Sequence, residues 1–352
     1  MTVGERLRVL VVDDSAFNRR SIADILSADP TIEVVGKAPD GDEALRLVAA
    51  LKPDVITLDL EMPRMDGFTF LRILMSVNPT PVIIVSSYNQ KENVFKALEL
   101  GALDFVAKPD GLADSEIYRV RDELLQKIRV VRSMRSESVI AGRLMDRAGM
   151  RVPAGTADAF VEPRFVVAFA SSTGGPTALM KAFAKIPEHA SISILVAQHM
   201  PDKFTRTFAE RLDRRTPMLV KEAQTGDLAS AGCAFVCPGR KCMELEHTVS
   251  GELRLLILPP DSGDRYAPSA DRLLTSVARA VGPKSIGVIL TGMGDDGVRG
   301  AMAIARAGGT VIAESDETAV VYGMPGAAVR SGVVSRSLGI DEIADWLGTV
   351  SR

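Results

Sequence analysis

Residues 8–15 read RVLVVDDS, an apolar run that ends in two carboxylates and a hydroxyl. Four further apolar runs follow, each separated from the next by a segment with apolar residues at helical spacing. These runs are IEVVGKA (32–38), DVITL (54–58), PVIIVSS (81–87) and LDFVAKP (103–109). Strands that alternate with helices in this way are typical of a parallel sheet covered by helices. The pattern predicts a five-stranded parallel α/β domain that ends near Arg132.

A second α/β pattern begins at FVVAFA (165–170). It continues through SISILVAQ (191–198), SIGVILT (285–291) and TVIA (310–313), with helical segments between these runs. The runs are apolar almost throughout, as expected of strands that are covered on both faces. Between residues 234 and 258, short strand-like pieces lie on either side of Ser250-Gly251, which predicts an antiparallel hairpin. The second half is therefore predicted to be a doubly wound, mainly parallel α/β domain with an added hairpin.

The segment between the two patterns has the composition of a linker. From residue 133 to 163 the periodicity fades while Gly, Ser, Ala and Pro accumulate, and residues 129–151 hold six arginines. No aromatic residues are interleaved with these arginines, so they offer no stacking surface for bases. We predict a first domain over 1–132, a linker over 133–163, a second domain over 164–352, and no role in nucleic-acid binding.

The bulk composition is that of an ordinary globular protein. The chain has 352 residues, 46% of them hydrophobic and 25% charged, and its net charge of -3 gives no general attraction to nucleic acid or anionic lipid. No apolar run reaches the roughly 18 residues that a membrane span needs, and the N-terminus lacks the features of a secretory signal. We therefore expect a cytoplasmic protein that does not insert into membranes. Its three cysteines, spaced unlike a zinc site, are expected to be reduced packing residues.

Polar side chains are expected to meet at one edge of the first sheet. Asp13 and Asp14 end the first strand, Asp59 the third, Ser86 the fourth and Lys108 the fifth. In a parallel sheet the ligand site lies at the carboxyl ends of the strands. Three carboxylates there would repel one another without a cation, and all-oxygen ligands suit Mg2+. The residues predict a Mg2+ site, with Lys108 and Ser86 placed to bind the oxygens of an incoming phosphoryl group.

These residues resemble the receiver domains of two-component response regulators over about residues 6 to 130. The matching segments are VVDDS (11–15), LDLEMPRMDG (58–67), VSS (85–87) and Lys108-Pro109. The resemblance implies a flavodoxin-like fold in which Asp59 accepts a phosphoryl group from a histidine kinase. The Mg2+ ligands that it implies are Asp13, Asp14, Asp59 and the main-chain carbonyl of Glu61. The switch residues that it implies are Ser86, Phe105 and Lys108.

The second half carries the components of nucleophilic acyl transfer at three strand ends. Ser171, Ser172 and Thr173 precede a pair of glycines, His199 follows the second strand, and Asp295-Asp296 follows GVILTGMG (287–294). In such a site serine attacks, histidine takes its proton and aspartate orients the imidazole. The glycines allow a tight turn whose main-chain N–H groups can hold an oxyanion. From the residues alone, either serine and either aspartate could serve.

This half resembles the CheB chemotaxis methylesterase family. The matching segments are ASSTGGP (170–176), QHMPDKFTRTFAERL (198–212), PGRKCMEL (238–245), RYAPSADRL (265–273), LTGMGDDG (290–297) and VVYGMP (320–325). The resemblance implies that Ser172 is the nucleophile, His199 the base and Asp296 the orienting acid. The N–H groups of Thr173 and Met293 are the candidate oxyanion donors, and no cofactor is expected for the ester chemistry.

The same resemblance implies a phosphorylation-activated serine esterase that removes methyl esters from glutamates on chemoreceptors and releases methanol. Its partners would be methylated chemoreceptors and the histidine kinase of the chemotaxis system. The family also includes members that deamidate receptor glutamines, so the resemblance makes glutaminase a second candidate activity.

Two other functions fit parts of the second half. Gly292, Gly294 and Gly297, with Glu314 further along, match a dinucleotide-binding fingerprint, but Asp295 and Asp296 within the loop would repel a pyrophosphate. A response regulator whose second half only binds a partner, as in many transcriptional regulators, is disfavoured because no basic recognition helix is visible. The esterase is therefore the preferred hypothesis.

Overall fold

The structure is a computed structural model that describes residues 6–87, 90–108, 114–134 and 160–352, with the backbone alone for 114–119 and 133. The chain divides into two compact units, Met1–Asp146 and Arg147–Arg352. This division falls within the predicted linker, most of which (135–159) lies outside the described residues. The boundaries at 132 and 163 stay predictions. Among the described helices, none combines the length and the apolar character that crossing a bilayer requires.

The first unit is built on a parallel sheet. Its strands are β1 (Leu7–Val12), β2 (Ile32–Ala38), β3 (Val55–Leu58), β4 (Val82–Ser86) and β5 (Asp104–Ala107). They lie in the order β2-β1-β3-β4-β5, and each neighbouring pair is parallel. Every residue of β3, β4 and β5 is buried, as expected of strands with helices on both sides. The predicted five-stranded parallel sheet is confirmed.

Helices follow the strands of this unit. They are α1 (Ala16–Ser27), α2 (Gly41–Leu51), α3 (Gly67–Val77), α4 (Lys91–Glu99) and α5 (Asp114–Val130). The side chains of Ser15, Asp40 and Asp66 accept main-chain N–H groups from the first turns of α1, α2 and α3. Each cap supplies an acceptor that the helix itself lacks at its N-terminus. Helix starts are thereby fixed shortly after the strand ends that carry the polar residues.

The second unit contains a larger parallel sheet. Its strands are β6 (Phe165–Ser171), β7 (Ile192–Gln198), β8 (Leu219–Glu222), β9 (Cys233–Val236), β12 (Ser285–Ile289), β13 (Thr310–Glu314) and β14 (Arg336–Leu338). The order is β14-β13-β12-β6-β7-β9-β8, with every neighbouring pair parallel. The prediction of a mainly parallel second domain is confirmed.

The predicted hairpin is also confirmed. It consists of β10 (Cys242–His247) and β11 (Leu253–Leu258), which pair antiparallel and form a two-stranded sheet of their own. The helices of this unit are α6 (Gly175–Phe183), α7 (Asp202–Asp213), α8 (Ala270–Val281), α9 (Val298–Arg306), α10 (Met324–Arg330) and α11 (Ile340–Val350). Leu245, Leu253 and Leu255 of the hairpin share one buried cluster with Leu273 and Val277 of α8. The hairpin therefore helps to bury α8.

Candidate active site and phosphoacceptor site

The three central strands of the larger sheet bring the predicted active-site residues to one edge. β6 lies between β12 and β7, with Ser171 paired to Gln198 and Ala170 to Ile289 in register. Ser172, His199 and Asp296 all lie beyond the carboxyl ends of these strands. In parallel sheets this edge is where ligands bind. The fold thus gathers three residues that extend from position 172 to position 296 of the sequence.

Ser172 lies in the turn that joins β6 to α6. Its main-chain N–H donates to the carbonyl of Thr291 (3.0 Å), and its carbonyl accepts from Gly175 (2.8 Å). Gly174 has a φ of +78°, and a Cβ there would lie 2.9 Å from the Val320 side chain. Only glycine meets both conditions without strain. This turn leaves Ser172 partly exposed, whereas Ser171 is fully buried.

The predicted oxyanion donors flank this turn. Neither the N–H of Thr173 nor that of Met293 donates a hydrogen bond within the described part of the chain. The hydroxyl of Thr291 holds the Thr173 carbonyl (2.9 Å), and the neighbouring Gly292 N–H is bonded to Val321 (3.0 Å). Both N–H groups therefore belong to turns that other hydrogen bonds anchor, and neither has an acceptor among the described residues. Their role as oxyanion donors stays a prediction.

His199 and Asp296 form a direct pair. His199 Nε2 lies 2.8 Å from Asp296 Oδ2, and the main-chain N–H of His199 donates to the Ser171 carbonyl (3.0 Å). With Nε2 facing Asp296, Nδ1 is the nitrogen left for Ser172. No hydrogen bond joins the Ser172 hydroxyl to the imidazole among the described contacts. Catalytic hydrogen bonds of this kind often tighten only when substrate binds.

Asp296 is held as a carboxylate by four hydrogen bonds. Oδ2 accepts from His199 and from the Ala270 N–H (2.8 Å), while Oδ1 accepts from the N–H groups of Asp271 and Gly297 (3.0 Å each). Ala270 and Asp271 open α8, so the carboxylate lies at a helix N-terminus. Burial raises the pKa of Asp296, but the His199 contact and these N–H groups outweigh it, and the pKa lies below its ordinary value.

Burial differs between the two neighbouring serines and between the two neighbouring aspartates, which the sequence did not distinguish. Asp296 is 3% exposed and contacts His199, whereas Asp295 is exposed and pairs with Arg265 (3.3 Å). The Ser171 hydroxyl donates to the buried Oε1 of Gln198 (2.6 Å) and so faces the interior. Burial and partners thus distinguish Ser172 and Asp296 from their neighbours, and the catalytic roles that the family resemblance implies for them stay predictions.

Two residues at this edge had no predicted role. The Gln198 amide donates to the carbonyls of Ser172 (3.0 Å) and His199 (2.9 Å), and so ties the two strand ends together. The Tyr266 ring stacks on His199, with ring centroids 4.8 Å apart and an interplanar angle of 12°. Both residues lie in segments that resemble the family, QHMPDKF and RYAPSADRL. That resemblance is the sequence feature that could have pointed to them.

Glu314 is engaged inside the protein. It is 1% exposed, and its carboxylate accepts from the Thr291 N–H (2.8 Å) and the Thr318 hydroxyl (3.0 Å). A carboxylate that is occupied in this way has no oxygen turned toward a ribose. The dinucleotide alternative therefore loses its acidic residue, and Glu314 instead supports the Thr291 turn behind Ser172.

In the first unit, the predicted carboxylates lie together. Asp13, Asp14 and Asp59 offer oxygens within 4.8 Å of one another, and Lys108 Nζ lies 2.5 Å from Asp59 Oδ2 and 2.9 Å from Asp13 Oδ2. Such a set of hard oxygen donors fits Mg2+. The main-chain N–H of Glu61 donates a hydrogen bond to the Asp59 carboxylate, which lowers the pKa of Asp59. The role of the Glu61 carbonyl as a ligand stays a prediction.

Lys108 and the neighbouring carboxylates shift one another's pKa values. Burial raises the pKa of Asp59 and nearby Asp13 adds to the rise, although Lys108 opposes it. Burial would lower the pKa of Lys108, but Asp59 and Asp13 hold it above its usual value. Lys108 is therefore a cation that lies against the predicted phosphoacceptor.

The two other predicted switch residues are both buried. Ser86, at the end of β4, donates its hydroxyl to the side chain of Gln90. Phe105 packs edge-to-face on Phe95, with centroids 6.2 Å apart, and its carbonyl accepts from Lys127 Nζ (2.5 Å). The Ser86 hydroxyl is thus engaged by Gln90 and the Phe105 ring by Phe95, and the switch roles of Ser86 and Phe105 stay predictions.

Comparisons with known proteins define the class. The model of the response regulator receiver domain matches residues 9–116, and that of the CheB methylesterase matches residues 167–347. Fold and sites thus describe a response regulator whose second unit is a methylesterase domain. The relatives agree over nearly the whole chain, and the protein belongs to the CheB methylesterase family.

Three of these similarities illustrate the agreement. A protein-glutamate methylesterase/protein-glutamine glutaminase 1 of Myxococcus xanthus is 46% identical, with 98% of this chain and 97% of that protein covered. A protein of the same name, numbered 6, from Anaeromyxobacter dehalogenans is 48% identical, with 98% and 96% covered. The crystal structure of the Thermotoga maritima CheB methylesterase catalytic domain has a TM-score of 0.51 and 36% identity, covering 53% of this chain and 98% of that one.

Proposed function

We propose that the protein is a phosphorylation-activated serine esterase that hydrolyses glutamate methyl esters on chemoreceptors and releases methanol. One observation carries the proposal: Ser172, His199 and Asp296 follow adjacent strands, and the last two form a 2.8 Å pair. The names of the Myxococcus and Anaeromyxobacter relatives support glutamate methyl ester as the substrate. We place the reaction in the cytoplasm, where the receptor's signalling region and the kinase would meet it.

The reaction would proceed through an acyl-enzyme. Ser172 Oγ attacks the ester carbonyl while His199 Nδ1 takes the hydroxyl proton, and Asp296 stabilises the resulting imidazolium. The N–H groups of Thr173 and Met293 hold the oxyanion. When the C–O bond to the methoxy group breaks, His199 returns the proton and methanol leaves. Water, activated by His199, then attacks the acyl-enzyme and restores Ser172, leaving the glutamate carboxylate as product. No step requires a cofactor.

Glutaminase is a second candidate activity for the same site. It would use the same acyl-enzyme, with the amide nitrogen leaving as ammonia after protonation by His199. The observation that favours it is the double name of the relatives. Amides are the poorer acyl donors, so we expect the ester to react faster.

The first unit would supply control. We propose that a histidine kinase donates a phosphoryl group to Asp59, with Mg2+ held by Asp13, Asp14, Asp59 and the Glu61 carbonyl. When bound, the ion would neutralise charge on the transferring phosphoryl group. Lys108 lies against Asp59 and would bind a phosphoryl oxygen once the group is in place.

The test of the proposal is methanol release from a methylated receptor. We expect the intact protein to release methanol and to do so faster when a small acyl phosphate and Mg2+ are present. A coupling free energy of about 1 to 3 kcal/mol would give roughly five- to 150-fold stimulation. Absence of methanol with receptor that is known to be methylated would contradict the esterase assignment.

Asp59→Ala is expected to keep its unstimulated rate and to lose stimulation by the phosphodonor, since it removes the carboxylate that is proposed to accept the phosphoryl group. EDTA should have the same effect on the wild type, because the metal matters only for phosphorylation. Asp42→Ala, an exposed carboxylate at the start of α2, is the control and should remain stimulated. Loss of the unstimulated rate in EDTA would instead indicate a hydrolytic metal.

A further inference from the structure

The imidazole of His199 is fixed at one edge by Asp296 and on one face by Tyr266. The Tyr266 ring is nearly parallel to the imidazole, with a centroid separation of 4.8 Å. The Asp296 contact restrains Nε2 but would allow the ring to tilt about that bond. A second restraint on the ring face removes this freedom. Tyr266 therefore defines the plane of the His199 ring, which the hydrogen bond to Asp296 alone would not do.

Tyr266 is carried by the same loop that anchors Asp296. This loop leads from β11 into α8, where the Ser269 hydroxyl caps the helix and the next two N–H groups bind the Asp296 carboxylate. The aromatic ring and the carboxylate are thus positioned by one local structure. A shift of this loop would move both contacts of the imidazole together.

The Tyr266 hydroxyl lies so close to Gly294 that a larger residue would not fit at position 294. A Cβ on Gly294 would lie 2.8 Å from the Tyr266 hydroxyl, and the φ of Gly294 is +90°. A side chain there would push the tyrosine away from His199. The motif Gly-Met-Gly (292–294) therefore leaves room for the tyrosine beside the Met293 turn.

Charged groups surround the pair. Arg265 lies over the Tyr266 ring, 5.7 Å from its centroid, and pairs with Asp295. Burial raises the pKa of the Tyr266 phenol, with further rise from Asp295, Asp296 and Asp271 against the opposing effect of Arg265. Because the pKa is raised, the neutral form of the phenol is favoured, and its uncharged ring faces the imidazole.

We propose that Tyr266 is a positioning residue of the esterase: its ring holds His199 in the plane that directs Nδ1 toward Ser172, and stabilises the imidazolium that forms when the serine proton is transferred. An aromatic face attracts a cation placed over it, so this contact strengthens as the transition state is approached. The inference rests on the proposed function. Tyr266 acts through His199, so its loss should lower kcat and leave KM unchanged.

The experiment compares two substitutions in the intact chain. Tyr266→Leu keeps an apolar side chain but removes the ring, and we expect kcat for methanol release to fall about tenfold, which corresponds to about 1.4 kcal/mol. Tyr266→Phe keeps the ring and should recover most of this loss. A Phe variant as slow as the Leu variant would assign the effect to the hydroxyl and overturn the proposal, as would a Leu variant within about twofold of wild type in kcat.

A second measurement needs no substrate. The chain has three histidines, so the Nε2–H proton signal of His199 can be assigned by NMR with a His199→Gln variant. We expect this signal to be sharp in wild type and in Tyr266→Phe, and to broaden through solvent exchange in Tyr266→Leu. An unchanged signal in the Leu variant would overturn the positioning role. If the wild type released no methanol, the proposed function would fail while this measurement still tested the stacking.

Discussion

Ser172→Ala is expected to reduce methanol release to background while the chain stays folded. The acyl-enzyme needs a hydroxyl at this turn, and removal of a serine nucleophile typically costs about six orders of magnitude in kcat. The stability should change little, because the Ser172 main chain carries the bonds to Thr291 and Gly175. The measurement is methanol release with thermal unfolding of the same sample.

Ser171→Ala is the matched control for this substitution. The Ser171 hydroxyl donates to Gln198 inside the protein, so its loss leaves a buried oxygen unpaired, at a cost of about 1–3 kcal/mol in stability. We expect a lower unfolding temperature and a modest loss of rate, because Gln198 also ties Ser172 to His199. The reverse order of activities would move the nucleophile to Ser171.

Asp296→Asn is expected to lower kcat by about four orders of magnitude and also to destabilise the fold. An asparagine must turn its NH2 group toward one of the two oxygen positions. At either position it would meet main-chain N–H donors, from Ala270 on one side or from Asp271 and Gly297 on the other. Imidazole orientation and the start of α8 are both affected. We therefore expect kcat and the thermal unfolding temperature both to fall in this variant.

Asp295→Asn tests whether the effect belongs to position 296 alone. The Asp295 side chain is exposed and pairs with an exposed Arg265, and such surface pairs contribute little to stability. We expect most of the activity and all of the stability to remain. If Asp295→Asn were the slower variant, the structure would have assigned the orienting acid to the wrong neighbour.

The central strands and their ends could be predicted from the sequence because both signals are local. Long apolar runs such as FVVAFA mark strands that are buried on both faces, and the residues that follow them must lie at the ligand edge. The edge strands β8 and β14 had no such signal. They have four and three residues, and most of their side chains are at least partly exposed.

The choice between neighbouring residues could not be made from local patterns. Nothing in the spacing separates Ser171 from Ser172, or Asp295 from Asp296, because both members of each pair follow the same strand. The distinction arises from burial and from partners far along the chain, such as the N–H groups that open α8. Tyr266 was missed for the same reason, since its contact with His199 spans 67 positions and leaves no periodic trace.

The placement of Asp296 at the start of α8 links catalysis to local unfolding. The first turn of a helix is where fraying begins, and opening of that turn would release the carboxylate and withdraw the Tyr266 loop in one event. The sheet need not open at all. Opening of that one turn would therefore inactivate the esterase while the rest of the second unit stays folded.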